Sequence, residues 1–275
     1  MNIKSWLKYA VSLLSHLNTP LLDAEVLLSY VLRKPRAWIM VFNDFLLSNT
    51  QLNLLYKLIH RRVKHEPIAY ITKEKEFWSL SFQISKGVLI PRPDTEILVE
   101  KILERMSTND YILDLGCGCG NIALSVAYER LDCFVFGIDC LQEAIVLSKK
   151  NSVILNINNA KFFYSNWFSE VQQKFNIIIS NPPYISSKSI FYLDKEILFE
   201  PKISLISPDN GLSDIKLIIK YSKNYLFSRG WLLIEHGWNQ KNQVIELFKK
   251  YNFSDITSYQ DYHGQDRIVC GRNHF

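Results

Sequence analysis

Disulfide frameworks, membrane anchors and tandem repeats all leave marks that this 275-residue sequence lacks. Its five cysteines are odd in number and loosely spaced, which excludes a paired framework and suits a reducing, cytoplasmic compartment. The first residues, MNIKSWLKYAVSLLSHL, are punctuated by Lys4, Lys8 and His16. With no continuous apolar run and no small-residue cleavage site, neither a signal peptide nor a membrane span is expected there. No tract is low in complexity and no motif recurs at a fixed period, so bulk disorder and a solenoid are both excluded. Glycine and proline, at 10 and 9 residues, are too few for a fibrous chain.

What is present is apolar. Hydrophobic residues make up 48% and aromatics 13%, enough for one large domain, or a large and a small one. The net charge of +5 is unevenly spread: residues 1–86 carry 12 Lys/Arg against 6 Asp/Glu, and residues 87–275 carry 20 against 21. A basic first unit suits either an acidic partner or an ordinary solvated face.

Residues 3–17 place Ile3, Trp6, Leu7, Ala10, Leu14 and Leu17 at helical spacing. Thr19-Pro20 opens a second helix through Leu32, residues 38–42 form a short helical turn, and residues 48–64 form another helix. Residues 1–75 are therefore expected to be a small helical bundle. Residues 76–93 alternate and then reach Gly87, which predicts a β-hairpin linker with Gly87 near its turn. Asp94 is placed to cap a helix running to about Met106. Within residues 94–275, strands over 111–115, 133–138, 160–164, 175–180 and 230–235 alternate with helices over 121–129, 141–151, 214–227 and 239–251. Two final strands, 253–259 and 266–271, have no helix between them. The expectation is an α/β fold with a seven-stranded, largely parallel, Rossmann-like sheet that ends in an antiparallel strand.

The stretch YILDLGCGCGNIALS joins the first strand of that sheet to its first helix. Gly116, Gly118 and Gly120 alternate, and missing side chains let a ligand approach the backbone. The spacing is Gly-x-Gly-x-Gly, not the Gly-x-Gly-x-x-Gly of dinucleotide loops. Asp114 lies at the strand end, and Asp139 ends the next strand, where a carboxylate can accept both hydroxyls of a ribose. The whole set resembles the S-adenosylmethionine loop of class I methyltransferases. Cys117 and Cys119 fill the variable positions. With Cys133 and Cys140 they do not make the two close-spaced knuckles of a zinc site, so no metal is expected. At the end of the third strand, Asn166 and Trp167 are candidates for the adenine, one as a hydrogen-bonding partner and one as a flat wall. The alternative for Trp167 is a plug against the helix side of the sheet.

The fourth strand runs FNIIIS into Asn181-Pro182-Pro183-Tyr184. Two prolines fix φ and remove two N–H donors. The acceptors left at the turn are the Asn181 side-chain oxygen and backbone carbonyls, that of Pro182 above all. Two rigid acceptors match one planar NH2 group, and Tyr184 is expected to offer it a face. Such a nitrogen is a poor nucleophile until its hydrogens are held and its lone pair is aligned.

Two families carry this tetrapeptide, the DNA amino-methyltransferases and the release-factor glutamine methyltransferases of the HemK/PrmC group. The chain resembles the second over nearly its whole length. The resemblance is carried by EPIAYITKEKEFWSLSFQISKGVLIPRPDTEILVE, DLGCGCGNIALS, SNPPYI, EPKISLISPDNGL, LLIEHGWNQ and DYHGQDRIVCGR, with NTPLLDAEVLLSYVL in the first unit. It implies S-adenosylmethionine as cofactor, and methylation of the glutamine of the Gly-Gly-Gln loop of bacterial release factors in translation termination. It also implies that Asn181, Pro182, Pro183 and Tyr184 hold the amide. The cofactor would be held by Asp114, Gly116, Cys117, Gly118, Cys119, Gly120, Asp139, Asn166, Trp167 and Asn181. Three positions depart from the pattern: Asn166 stands where aspartate is frequent, Trp231 where a second glycine is frequent, and cysteines fill the loop. A DNA or RNA amino-methyltransferase is the alternative. It calls for a basic cleft and a recognition insertion that residues 87–275 do not offer, so no direct nucleic-acid substrate and no membrane partner are expected.

Overall fold

A computed structural model describes residues 1–274, the side chain of Phe191 apart. The chain forms two compact units, Met1–Glu74 together with Asp194–Phe199, and Lys75–Leu193 together with Glu200 onward.

The first unit is helical: α1 (Ile3–Leu13), α2 (Pro20–Leu32), α3 (Arg36–Val41), α4 (Asn49–Val63) and α5 (Ile68–Thr72). Ile3, Trp6, Ala10, Leu14, Leu27, Leu28 and Leu55 are fully buried in its core. The first helix stops four residues short of its predicted end, yet Leu14 and Leu17 stay buried in the turn that follows. Its N-terminus is capped by Asn2, whose side chain accepts from the Ser5 N–H at 2.9 Å. Helix α4 begins with a reciprocal capping box between Ser48 and Gln51. Inside the unit Arg62 is buried. Its guanidinium donates to Asp23 Oδ2 at 2.6 Å, to the Glu66 carbonyl at 3.1 Å and to Glu196 Oε1 at 2.5 Å.

The second unit opens with a hairpin, β1 (Glu74–Phe77) and β2 (Leu80–Gln83). Its turn is Trp78 and Ser79, at φ 53° and 56°, and not Gly87 as predicted. Tight hairpin turns of this kind need positive φ at both central residues, which normally selects Asn-Gly. Here the bulky pair is held by anchoring: the Trp78 backbone N–H donates to Glu96 Oε1 and its indole N–H to Glu129 Oε1, both at 2.8 Å. Gly87 sits in a later turn closed by Val88 N–H to the Ser85 carbonyl. Asp94 does not cap a helix either. It lies in a 3₁₀ turn (Pro93–Thr95) ahead of α6 (Glu96–Leu103), and its carboxylate faces Arg267 at 3.5 Å.

From there strands and helices alternate: β3 (Tyr111–Leu115), α7 (Asn121–Glu129), β4 (Phe134–Asp139), α8 (Gln142–Ile154), β5 (Ala160–Tyr164) and β6 (Phe175–Ser180). A four-residue turn α9 (Pro208–Gly211), α10 (Ser213–Tyr225), β7 (Leu226–Glu235), α11 (Lys241–Lys250), β8 (Phe253–Gln260) and β9 (Asp266–Asn273) complete it. The seven strands order as β5-β4-β3-β6-β7-β9-β8, with β9 antiparallel to both neighbours. The central strands β3 and β6 are apolar because helices cover both faces. Leu113, Leu115, Ile178, Leu232, Ile234 and Phe248 lie in one buried cluster. Strand order reverses between β3 and β6, and a crevice at the carboxyl ends of such strands is where open α/β sheets bind ligands.

Candidate active site

The register of the sheet assembles the site. Leu115 pairs with Ser180, and Ser180 with Ile234. One step further along the three strands, the chain reaches Gly116, Asn181 and Glu235, so residues far apart in sequence meet at one edge.

The loop after β3 is tied down from below. The N–H groups of Gly116 and Cys117 both donate to the Ile138 carbonyl, at 2.9 and 2.8 Å. Gly120 has φ 85°, and a Cβ there would lie 3.1 Å from both Leu124 and Ser148 and 3.2 Å from Phe162, so only glycine fits. Asp114 is fully buried beneath this loop and accepts from the Ala123 N–H at 3.2 Å. Its other oxygen has no hydrogen-bond partner, and burial pushes its carboxyl up to about 7. Asp139 accepts from the N–H groups of Gly118 and Leu141, one on each oxygen at 2.9 Å. Burial raises its proton affinity and the backbone N–H groups partly offset that. Each oxygen keeps a further lone pair for a hydroxyl.

These elements border a cavity of about 230 Å³. Of the residues singled out in the sequence, Gly116, Cys117, Gly118, Asp139, Asn166, Trp167, Asn181 and Pro183 line it. Asp114, Cys119 and Gly120 do not; they shape the loop from behind. Trp167 stands in the left-handed region at φ 48° and lays its indole against Gly116, 3.7 Å from where a Cβ would be. It also packs against the core cluster, so it plugs the sheet and lines the cavity at once. The thiols of Cys117 and Cys119 are buried and free, and burial pushes that of Cys119 up to about 12.

The loop after β6 is held on three sides. Ser180 donates to the Leu115 carbonyl at 2.7 Å. The Asn181 amide donates from Nδ2 to Thr95 Oγ1 at 3.2 Å. The Tyr184 carbonyl accepts from Gln240 Nε2 at 3.0 Å, and Gly211 packs so close to it that a Cβ would fall 2.0 Å away. Pro182 is buried. Tyr184 does not turn its ring to the cavity. The ring packs against the core cluster, and its hydroxyl donates to Glu235 Oε1 at 3.4 Å. Burial, then the Glu235 charge, push that phenol well above its ordinary value, while burial pushes Glu235 up to about 7.

Sequence reasoning missed Thr95, Glu235 and Gly211. All three stand inside stretches that carry the family resemblance, and Glu235 also ends the strand that pairs with the one leading into the tetrapeptide. Leu89, Pro91, Arg92, Ile203, Ser204, Ile206 and Asp214 also line the cavity. Arg92 is fixed by an ion pair with the buried Glu200, whose carboxylate also accepts from the Ile90 N–H at 2.9 Å. Among the described residues no helix is long and apolar enough to cross a membrane, and none of their His, Cys, Asp and Glu side chains cluster in threes able to hold a metal ion.

Residues 92–204 match the methyltransferase small domain, and residues 5–72 match the PrmC N-terminal domain. The chain is 52% identical over 275 residues to the release factor glutamine methyltransferase of Buchnera aphidicola subsp. Acyrthosiphon pisum, covering all of this chain and 99% of the relative. The enzymes of that name from Salmonella typhimurium and Escherichia coli K12 are 42% and 40% identical over 274 residues, 99% of each chain. Among solved structures, a methyltransferase from Pyrococcus furiosus superposes with a TM-score of 0.56 at 16% identity, covering 83% of this chain and all of that one. A Thermus thermophilus 16S rRNA N2 G1207 methyltransferase does so at 0.55 and 14%, covering 73% and 50%. At these identities the two structures speak for the shared fold alone.

Proposed function

We propose, from the premise that this chain belongs to the release factor glutamine methyltransferase family, that it methylates the side-chain amide nitrogen of the glutamine in a release factor's Gly-Gly-Gln loop. The observation that carries this reading is the placement of the Asn181 amide on the same cavity as Asp139 and the 116–118 backbone. S-adenosylmethionine, when bound, supplies an electrophilic methyl carbon. The cavity's donor set fits such a group. The glycine backbone leaves room for its amino-acid tail, Asp139 has lone pairs for ribose hydroxyls, and Asn166 and Trp167 offer a hydrogen-bonding partner and a flat wall for adenine.

Asn181 accepts one hydrogen of the substrate amide through Oδ1, and the Pro182 carbonyl accepts the other. Holding both hydrogens turns the nitrogen lone pair toward the cavity and raises its electron density. No strong base is required, because the nitrogen becomes acidic only as the new bond forms. Pro182 and Pro183 keep the acceptors in place before the amide arrives, and Tyr184 acts by bracing the loop through Glu235. The first unit, with its basic surplus, docks the release factor and carries no chemistry.

The test offers tritiated cofactor to release factor, to the same factor with Gly-Gly-Gln changed to Gly-Gly-Ala, and to duplex DNA. Label in the first alone is expected. Label in DNA, or equal label in both release factors, overturns the reading.

A further inference from the structure

The acceptor role of Asn181 requires its oxygen, not its nitrogen, to face the substrate. An asparagine amide is nearly symmetric in shape, so nothing about its own volume decides between the two orientations. The neighbours must decide.

Thr95 is that neighbour. It is buried, it lines the same cavity, and its Oγ1 lies 3.2 Å from Asn181 Nδ2. A threonine hydroxyl has one hydrogen to donate. Behind it stands the Glu235 carboxylate, fully buried at the end of β7 and close enough to the Thr95 side chain to bias its protonation, with Oε2 left without a hydrogen-bond partner. In its ionised form that carboxylate takes donors and offers none, and its orphaned Oε2 is the acceptor to which the Thr95 hydrogen turns. Only lone pairs remain on the side facing Asn181, and a lone pair can be met by Nδ2 alone. The Tyr184 hydroxyl occupies Glu235 from the other direction, so both side chains that brace the 181–184 loop converge on one carboxylate.

We propose that Thr95, oriented by Glu235, is a positioning residue that sets the Asn181 amide with its oxygen toward the substrate. Thr95 touches neither of the reacting atoms. It works through Asn181, and Glu235 works through Thr95. This inference rests on the amide-nitrogen transfer proposed above.

The experiment compares Thr95→Val, which keeps the shape and removes the hydroxyl, with Thr95→Ser, which restores it. Glu235→Gln is the second variant. Its amide can donate to Thr95 and free the hydroxyl hydrogen to point the wrong way. For Thr95→Val and Glu235→Gln, single-turnover kcat on release factor is expected to fall roughly 10- to 100-fold, the loss usual for a partner behind a functional group. Cofactor affinity by calorimetry and release-factor KM should stay within about threefold, which also reports that the variants fold. Thr95→Ser should recover most of the rate. In an Asn181→Ala background, Thr95→Val should have no further effect, because its target is gone. Undiminished kcat in Thr95→Val, or full additivity with Asn181→Ala, overturns the proposal.

A second readout does not depend on the substrate. In amide spectra of protein carrying ¹⁵N-asparagine, the Asn181 side-chain signal is identified by its loss in Asn181→Ala. One of its protons should exchange slowly in the wild type and in Thr95→Ser, and fast in Thr95→Val. If wild type labels no release factor, the functional reading fails, and this signal alone decides the orientation. Unchanged protection in Thr95→Val overturns it.

Discussion

Asn181 and Asp139 do different work at one cavity, and their substitutions should separate. Asn181→Ala removes one of two amide acceptors and leaves the 116–118 backbone untouched. By analogy with deleting a preorganised donor from an oxyanion site, kcat should fall roughly 10²–10³-fold, about 2.7–4 kcal/mol. Cofactor affinity, titrated by calorimetry, should barely move. Asp139→Ala should do the reverse, weakening cofactor binding by about 2–4 kcal/mol through the loss of charge-assisted hydrogen bonds. Asp139→Asn should recover little of it. Each oxygen already accepts a backbone N–H, so an NH2 group at either position sets donor against donor. An asparagine variant that binds cofactor as wild type does removes Asp139 from the ribose site.

Among the elements, legibility followed apolar contrast. Strands β3, β5 and β6 begin and end where the sequence places them, because runs such as FNIIIS meet polar or glycine residues abruptly. The hairpin turn was illegible, since Trp78 and Ser79 carry none of the chemistry that positive φ usually demands, and what holds them are Glu96 and Glu129 further along the chain. Thr95 and Glu235 escaped notice for a related reason. Glu235 reaches the site through strand register, which is a property of the sheet, and Thr95 through a 3₁₀ turn 86 positions before Asn181, so no local stretch reveals either. Tyr184 was legible as part of the motif but not in its direction, which the core cluster sets. At this scale Ser48→Ala should cost about 1 kcal/mol by opening the capping box of α4. Chemical denaturation should show a lower midpoint at unchanged slope.

For the whole molecule, two buried carboxyls tie stability to pH. Asp114 and Glu235 both titrate near 7, well above their ordinary 3.8 and 4.5. The folded state therefore holds these protons more tightly than the unfolded chain does. Their stabilising contribution is fully present below about pH 4 and is lost as pH rises through 7. Asp114→Asn keeps the acceptor for Ala123 and cannot ionise. Its Tm relative to wild type should climb between pH 5 and pH 8, and a difference that is flat across that range would contradict the raised Asp114. The basic surplus makes a separate prediction. Lys4→Glu with Lys8→Glu, both exposed on the first unit, should raise the release-factor KM several-fold at low salt, less at high salt, and leave kcat alone. A KM indifferent to both the charges and the salt would remove docking from that face.

The segment Asp194–Phe199 belongs to the helical unit although the chain on either side of it belongs to the other. Modularity is the casualty. The helical unit is not a cassette that can be cut at residue 74 and exchanged between relatives, since one of the two carboxylates that pair with Arg62, that of Glu196, is encoded 134 positions downstream. A chimaera that inherits residues 1–74 from one parent and the rest from another must bring together an arginine and a glutamate that descended separately. Where the two parents disagree at that pair, the buried guanidinium keeps Asp23 but loses its second carboxylate, and the unit is destabilised. Recombination within this family is therefore constrained by a six-residue inheritance that linear domain boundaries do not reveal.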